Sequence, residues 1–464
     1  MKPASPIAYR LFHQGALALS RMESVGLPID STKLAKSLAD VTAMIRTAES
    51  SLRKSDIYKA QQRKFGKDTN LNSRDQLAWV LYTHMKMPGG TKSDKGRYKL
   101  DEDTLRVIDD PFIDDYLKWQ KLNKLKGTYL GPMSRECIDG RVYGFLNLHN
   151  VKTYRLSADS PNLNNLPSRN GPIVKLIKST ICPPEGQYIV EIDYSALEVF
   201  VALCYHRDPT MFDNLITSFD MHTSLAKQCF LYDDLWIADN PKLAKILRTE
   251  TKGSATFGFF YGNYYLDVAL RLWKTAVKTG MVEHLAGKGI KRLGLTFDYA
   301  ENKWVEHGGP DAFVTHIQSV EHDFWGKRYP QYGQWRRDWY QAYLQKGYFN
   351  TLTGFVWHGA EKRNFVINCP IQGSAAHCLL QSIIDIQAEI AKRKMRSQPF
   401  LEVHDSLLAT VPREELHEYV AMASDIMTTK LREKWPWLII PLKVEVEVSD
   451  VSWFDKKSYT GDEK

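Results

Sequence analysis

Hydrophobic spacing along the chain switches between two periods. In DSTKLAKSLADVTAMIRTAES (30–50), Leu34, Leu38, Val41 and Ile45 recur three to four residues apart, the signature of one helix face. Asp30 or Ser31 is placed to cap that helix. A second helical, basic stretch covers about 101–130, and MPGGTKSDKGRYK (87–99), crowded with Gly and Lys, reads as an exposed loop. Near residue 141 the apolar runs shorten and become β-rich. RVYGFLNLH and QYIVEIDYS are expected to be strands of a central sheet. Helical spacing returns over about 209–346. Strands resume in NTLTGFVW, FLEVHD, SLLATVP and the alternating PLKVEVEVSD, while Ala376, Leu380, Ile383, Ile386 and Ile390 mark a core-facing helix between them. The pattern predicts an α+β chain in which a large helical insertion interrupts a sheet.

Composition narrows the setting. At 464 residues the chain exceeds one ordinary core, and 43% hydrophobic with 12% aromatic residues is a globular balance. No apolar run is long enough to span a bilayer, and residues 1–10 lack a signal-peptide core. A soluble, intracellular protein without a membrane partner is expected. The six cysteines show no metal spacing, so they are read as reduced. A net charge of +8 alone favours nucleic acid only weakly. Lys118, Lys121, Lys124 and Lys126, and Lys59, Arg63, Lys64 and Lys67, each line one stretch. Either set fits a solvated helix face or a phosphate-tracking surface.

The chemistry centres on FLEVHDSLLATVP (400–412), where Asp405 sits near the apex of two apolar strands. A buried carboxylate is costly unless something compensates it. Asp193 follows a second apolar strand, QYIVEID. Taken singly, each fits a satisfied turn. Two carboxylates at adjacent strand ends also suit a pair of divalent cations that activates a 3′-hydroxyl and stabilises leaving pyrophosphate. Mg2+ matches such oxygen ligands, with Mn2+ as a substitute.

The neighbouring residues carry a resemblance. DYSALE (193–198) looks like motif A of family A DNA polymerases, the bacterial DNA polymerase I group, and VHDS (403–406) looks like their motif C. TYRLSADSPNLNNLPSR (153–169), NCPIQGSAA (368–376), DMHTSLA (220–226) and RTETKGSATFGFFYG (248–262) resemble further family segments, the last being the motif B helix. LSRMESVGLPID (19–30), NLNSRDQLAWVLY (70–82) and KLNKLKGTYL (121–130) extend the likeness through the first third. The resemblance implies a right-hand fold with an antiparallel-sheet palm and helical fingers and thumb. It implies a helical segment and thumb over 1–132, palm over 133–208 and 347–464, and fingers over 209–346.

It also implies roles. Asp193 and Asp405 would hold two Mg2+ ions, with the Tyr194 carbonyl as a further ligand. Glu198 would fill the space a 2′-hydroxyl needs. His222, Arg248 and Lys252 would supply positive or hydrogen-bonding groups to the triphosphate, and Phe257 and Tyr261 would stack on the nascent pair. Arg155, Asn165, Asn368 and Gln372 would touch the primer–template minor groove, where every base pair offers acceptors. Gly373 would let the duplex approach, and His404 would lie by the primer terminus. Primer–template DNA and dNTPs are the expected partners, with a separate exonuclease or a replisome protein as a further one.

Several departures matter. Motif A has Ala196 and Phe200, and motif C has Ser406, where the family has other residues. His-Asp-Ser also occurs in single-subunit RNA polymerases, the alternative activity, but Glu198 and RLSADSPNLNNLP weigh against it. A two-carboxylate nuclease leaves motif B unexplained, and a catalytically inactive DNA-binding homologue would not need both Asp193 and Asp405. The family's 3′–5′ exonuclease domain would precede residue 10, so a polymerase region without it is expected. The compact, divergent motifs look phage-like, placing the chain in bacterial or infected-host cytoplasm. The fingers carry roughly 35 residues beyond what the resemblance leads one to expect, within about 265–312. Finally, Lys252 and Phe257 are five residues apart where the family has four. Five helical steps turn the two roughly 140° apart, so a π-bulge within 252–257, eased by Gly253, is expected to restore their common face.

Overall fold

The computed structural model describes residues 2–93, 95–166, 171–298, 301 and 303–462. Its first third is helical. Helices α1 (Pro6–Val25), α2 (Ser31–Lys54) and α3 (Pro111–Lys124) dominate it. The Asp30 carboxylate caps α2 by accepting the Lys33 N–H at 3.0 Å, and Leu34, Val41 and Ile45 are buried along one face. In the basic stretches, Lys59 pairs with Asp56 and Lys121 with Glu102, while Lys64 lies over the Trp79 ring.

A five-stranded antiparallel sheet forms the centre. Its strands are β1 (Gln187–Tyr194), β2 (Gln398–Val403), β3 (Ser406–Pro412), β4 (Val444–Ser449) and β5 (Lys457–Ser458), in the order β2-β3-β1-β4-β5. QYIVEIDYS, FLEVHD, SLLATVP and PLKVEVEVSD thus form strands as their patterns predict. RVYGFLNLH does not join them. It splits into Arg141–Val142, paired with Leu27–Pro28, and Phe145–Asn147, paired with Ser157–Asp159. Gly144 separates the two pieces, and a Cβ there would come within 3.3 Å of the Pro161 carbonyl oxygen. NTLTGFVW likewise contributes to a separate three-stranded sheet with Lys2–Pro3.

Between β1 and β2 lie the helices α4 (Leu197–His206), α5 (Met221–Phe230), α6 (Pro241–Thr251), α7 (Tyr265–Thr279), α8 (Pro330–Lys346) and α9 (Arg363–Arg393). The main hydrophobic core joins α4–α9 to one face of the sheet, through Val190 and Ile192 of β1 and Leu407 and Ala409 of β3. A second core gathers α2 and α3 with Ile189, Leu401 and Leu408 on the other face, while α1 packs into the main core. Alternation along each strand sorts side chains between the two. Among the described residues no helix is long and apolar enough to cross a membrane.

The central helix α9 carries Ala376, Leu380, Ile383 and Ile386 inward, as its spacing predicts. Gly15 of α1 permits the contact with it, since a Cβ there would meet Leu380 at 2.9 Å. Pro370 lies within α9 and has no N–H to give the carbonyl four residues back. That carbonyl, on buried Val366, instead accepts the Trp339 indole N–H of α8 at 3.0 Å. Replacing Trp339 by Phe keeps an aromatic ring and removes the donor. The Trp339→Phe protein is expected to lose about 1 kcal/mol of stability in denaturant titration. Unchanged stability would show that the Val366 carbonyl does not depend on the indole.

Candidate active site

Strand register brings the two acidic residues together. Asp193 at the end of β1 stands opposite Ser406 of β3, and Asp405 is the residue before Ser406. The Tyr194 N–H donates to the Asp405 carbonyl at 3.2 Å, tying strand end to hairpin apex. On its other side Asp193 faces Glu445 of β4. His404 and Asp405 form a two-residue turn between the paired Val403 and Ser406. His404 alone of these two has a positive φ, 59°. This is the pattern of a type II′ turn, where glycine is usual at that position. Strain of this kind persists when the surrounding strands over-determine it.

Both carboxyls are shifted. Burial, then Glu198 and Asp193, push Asp405 up to about 7, with Arg155 pulling the other way. Asp193 rises to about 6 through desolvation and the carboxylates Glu191, Glu445 and Glu447, against Lys456. Among the described residues neither carboxylate has an ion-pair or side-chain hydrogen-bond partner, and no three His, Cys, Asp or Glu side chains close a complete metal cage. Two uncompensated carboxylates on one rim suit hard divalent cations that complete their shells with water and phosphate oxygens.

Glu198 lies in the first turn of α4 and is held from two sides. Arg155 pairs with one carboxylate oxygen and the Tyr261 hydroxyl donates to the other. Burial and the Glu198 charge raise the Tyr261 phenol above its ordinary pKa. The Asn368 amide donates to the Tyr261 carbonyl at 2.7 Å. Glu198, Phe257, Tyr261, Asn368 and Gln372 thereby line one pocket.

Beside it opens a cleft of about 1170 Å³ lined by Ser195, Asp220, His222, Arg248, Phe257 and Lys443, among others. Arg248 is not free. Its Nε and Nη2 donate to the two oxygens of Asp220 at 2.8 and 3.1 Å. Asp220 also caps α5 through the His222 and Thr223 amides. Burial acts upward on Asp220, but Arg248 and Thr223 hold its carboxyl well below the usual range. Burial, Lys252 and Arg248 bring His222 down to about 4, so its ring is neutral near pH 7. It offers the cleft a hydrogen-bonding group rather than a charge.

The helix carrying Arg248 and Lys252 contains the expected i→i+5 turn. Residues Lys252–Thr256 are π-helical, with the Phe257 N–H donating to the Lys252 carbonyl. Lys252 Nζ then lies 5.6 Å from the Phe257 ring centre, and Phe257 stacks on Tyr261 at 6.1 Å and neighbours His222 at 5.8 Å. Gly253 has no positive φ, so the turn forms without glycine's special freedom.

On the opposite side, Arg155, Asn164, Gln372, Glu402, His404 and Asp405 line a cleft of about 740 Å³. Glu402 is only 2% exposed and takes a hydrogen bond from the Asn164 amide. Burial, against the Asn164 bond and aided by Asp405, pushes it up to about 7. Burial and Arg155 hold His404 below the usual histidine value. The Asn165 side chain and residues 167–169 lie outside the described residues.

A Cβ on Gly373 would meet Tyr154 at 2.9 Å and the Thr153 carbonyl at 3.1 Å, so packing inside the protein already requires the glycine. Four side chains escaped sequence reasoning: Asp220, Glu402, Asn164 and Lys443. Only Asp220 left a signal, an Asp three residues before Thr223 at a helix start.

Comparison with known proteins places this geometry. The chain is 26% identical over 458 residues to DNA polymerase I of Bacillus subtilis, covering 95% of this chain and 45% of that protein. It is 27% identical over 462 residues to thermostable DNA polymerase I of Thermus thermophilus, covering 95% and 47%. The chain thus spans about half the length of these relatives. The POL domain of Pol1 from M. smegmatis, solved in complex with DNA primer-template and dNTP, superposes with a TM-score of 0.74 at 22% identity, over 96% of this chain and 70% of that one. The fold is therefore the right hand, with an antiparallel-sheet palm and helical fingers and thumb. The model of DNA polymerase family A matches residues 40–281 and 321–455, including both strand ends that bear the carboxylates, and the chain belongs to that family.

Proposed function

We propose that this chain is a template-directed DNA polymerase that adds dNTPs to a primer 3′-hydroxyl and releases pyrophosphate. The observation that carries the reading is the register of β1 and β3, which sets Asp193 and Asp405 side by side, neither with an ion-pair partner among the described residues. Two Mg2+ ions, with Mn2+ as a substitute, held by Asp193, Asp405 and the Tyr194 carbonyl would activate the 3′-hydroxyl and stabilise the leaving group. Phosphoryl transfer asks little else of a protein than position and electrostatics.

The side chains divide that work. Arg248 and Lys252 receive the triphosphate, and neutral His222 donates a hydrogen bond to it. Glu198, fixed between Arg155 and Tyr261, blocks the place of a 2′-hydroxyl. Phe257 and Tyr261 present rings to the nascent pair. Arg155, Asn368, Gln372 and His404 face the primer–template on the motif C side, and the Asn165 assigned with them by resemblance lies outside the described side chains. We assign residues 1–132 to an N-terminal helical segment and thumb, 133–208 and 347–464 to the palm, and 209–346 to the fingers.

Primer extension tests the reading. Parent protein with Mg2+ and dNTPs should extend a primed template, while Asp193→Ala and Asp405→Ala should each lose at least about a thousandfold in rate and still bind primer–template. Synthesis retained by either variant removes that residue from the centre. Extension with ribonucleotides in preference would favour the RNA polymerase alternative.

Sugar choice is tested separately. Glu198→Ala should lower dNTP efficiency and raise the relative use of ribonucleotides, read as the ratio of the two kcat/KM values. An unchanged ratio means the gate lies elsewhere.

The raised carboxyls also set a pH dependence. Asp405 binds its proton more tightly in the folded state, about 7 against the ordinary 3.8. Its contribution to stability is therefore fully present below about pH 4 and is lost as pH rises through 7. At pH 8 without divalent ions, Asp405→Asn should be more stable than the parent by on the order of 1 kcal/mol, a gain that shrinks toward pH 4. Added Mg2+ should stabilise the parent more than the variant in the same melting experiment. An Asp405→Asn protein no more stable at pH 8 than at pH 4, relative to the parent, contradicts the charge crowding.

A further inference from the structure

Lys443 is a cation of the large cleft to which the polymerase reading gives no part. It stands just before β4 and lines the cleft together with His222 and Arg248. The triphosphate is assigned to His222, Arg248 and Lys252. The two cations that line the cleft differ in what holds them. Arg248 is engaged by both oxygens of Asp220. Among the described residues Lys443 has no carboxylate partner. Its ammonium donates to the Ser218 hydroxyl at 2.8 Å and to the Leu215 carbonyl at 3.3 Å. An ammonium carries three N–H groups, so one remains for a ligand and the charge stays unneutralised.

Those two bonds hold a long, flexible side chain against the cleft wall. Leu215 lies in the last turn of the helix Pro209–Ile216, and Ser218 follows with a positive φ of 54°. Both residues line the same cleft. A lysine at a helix end often does no more than satisfy a free carbonyl. That role alone would contribute to stability and leave ligand binding unmoved. Glu445 shares the wall, but its Oε1 takes the Ser195 hydroxyl at 3.1 Å.

The position of Lys443 relative to Asp193 gives it a direction. Val444 pairs with Tyr194 across β4 and β1, and the Ser195 N–H donates to the Lys443 carbonyl at 2.9 Å. Lys443 therefore stands on the β4 side of the strand end that bears Asp193. Arg155, His404 and Asp405 gather on its β3 side. Neighbouring strands lie only about 5 Å apart, so both sides flank one reaction centre. In phosphoryl transfer the attacking and leaving oxygens lie roughly in line, on opposite sides of the phosphorus. With the primer on the β3 side, the leaving group departs toward β4.

Resting on the polymerase reading above, we propose that Lys443 is the receiving cation for inorganic pyrophosphate, with the Ser218 hydroxyl orienting its ammonium. The primer 3′-oxygen forms a bond to the α-phosphorus, and the oxygen bridging the α- and β-phosphorus leaves with the electron pair. The hydroxyl proton passes to water. Pyrophosphate thus carries more negative charge than the same two phosphates did in the nucleotide. A cation on the leaving side binds the product more strongly than the substrate, because charge-assisted hydrogen bonds strengthen with the charge of the acceptor. The cleft thereby acquires a second ligand, distinct from the incoming dNTP.

The test uses the full chain on a primed template with Mg2+ and compares two constants. One is the KM for dNTP; the other is the inhibition constant of added inorganic pyrophosphate. In Lys443→Gln the pyrophosphate constant should rise at least about fivefold, while the dNTP KM shifts less than about twofold. Lys443→Arg, which keeps the charge, should recover most of the pyrophosphate affinity. Ser218→Ala should move the pyrophosphate constant in the same direction by about twofold.

Equal shifts in the two constants, or an unmoved pyrophosphate constant, overturn the proposal. So does an arginine variant no better than the glutamine one. A Lys443→Gln protein that only melts earlier, with both constants as in the parent, reduces Lys443 to a helix cap. Failure of the parent to extend the primer would instead strike the polymerase reading.

Discussion

The antiparallel pairing of β1 with β3 is the constraint from which the site follows. A slip of one residue would turn Asp193 into the helical core and bring Ile192 out to the cleft, because side chains alternate across the sheet. Burial of Val190, Ile192, Leu407 and Ala409 on the core side forbids that slip. The carboxylates therefore owe their positions to apolar residues that never meet a substrate. The same sheet fixes the start of α4, since the Ser195 N–H donates to the Lys443 carbonyl at 2.9 Å, and Glu198 follows within one turn.

Charge is distributed around this frame in opposing walls. The sheet side concentrates Asp193, Asp405, Glu445 and Glu198, whereas the helix that ends in the π-turn presents Arg248 and Lys252. Glu198 is bridged from two sides, through Arg155 and Tyr261. A side chain fixed from both ends is a better steric gate than a mobile one, because its position costs no further ordering when the nucleotide arrives. Glu191 shows the contrasting case on the same sheet face. It is buried and held by Lys456 and the Trp453 indole, both at 2.6 Å. That carboxylate is fully compensated within the protein, and Asp193, two residues on, is not.

Much of this was legible in the sequence for physical reasons. Strands buried on one face and helix α9 announce themselves through periods of two and 3.6. The π-turn at Lys252–Thr256 could be read from a helical phase error of one residue. RVYGFLNLH could not be placed, because a β-rich run carries no local mark of which strand it will pair with. Glu402 reads as a strand residue among apolar neighbours. Only the fold shows that it reaches a cleft shared with Asp405 and His404. The packing of Gly373 against Tyr154 was not legible, since a required glycine does not say what approaches it.

The Asp220–Arg248 pair has a consequence for what the large cleft will admit. An anion arriving at Arg248 replaces a carboxylate that already accepts two hydrogen bonds from the guanidinium. Binding there is an exchange, not an addition. A ligand with a single negative charge gains nothing by it, while a polyanion that also reaches Lys252 and His222 gains contacts Asp220 cannot supply. Asp220 keeps its place afterwards by its bonds to the α5 amides, so the helix end survives the exchange. On the proposed reading, the pair would act as a threshold on charge number, set before any base or sugar is inspected.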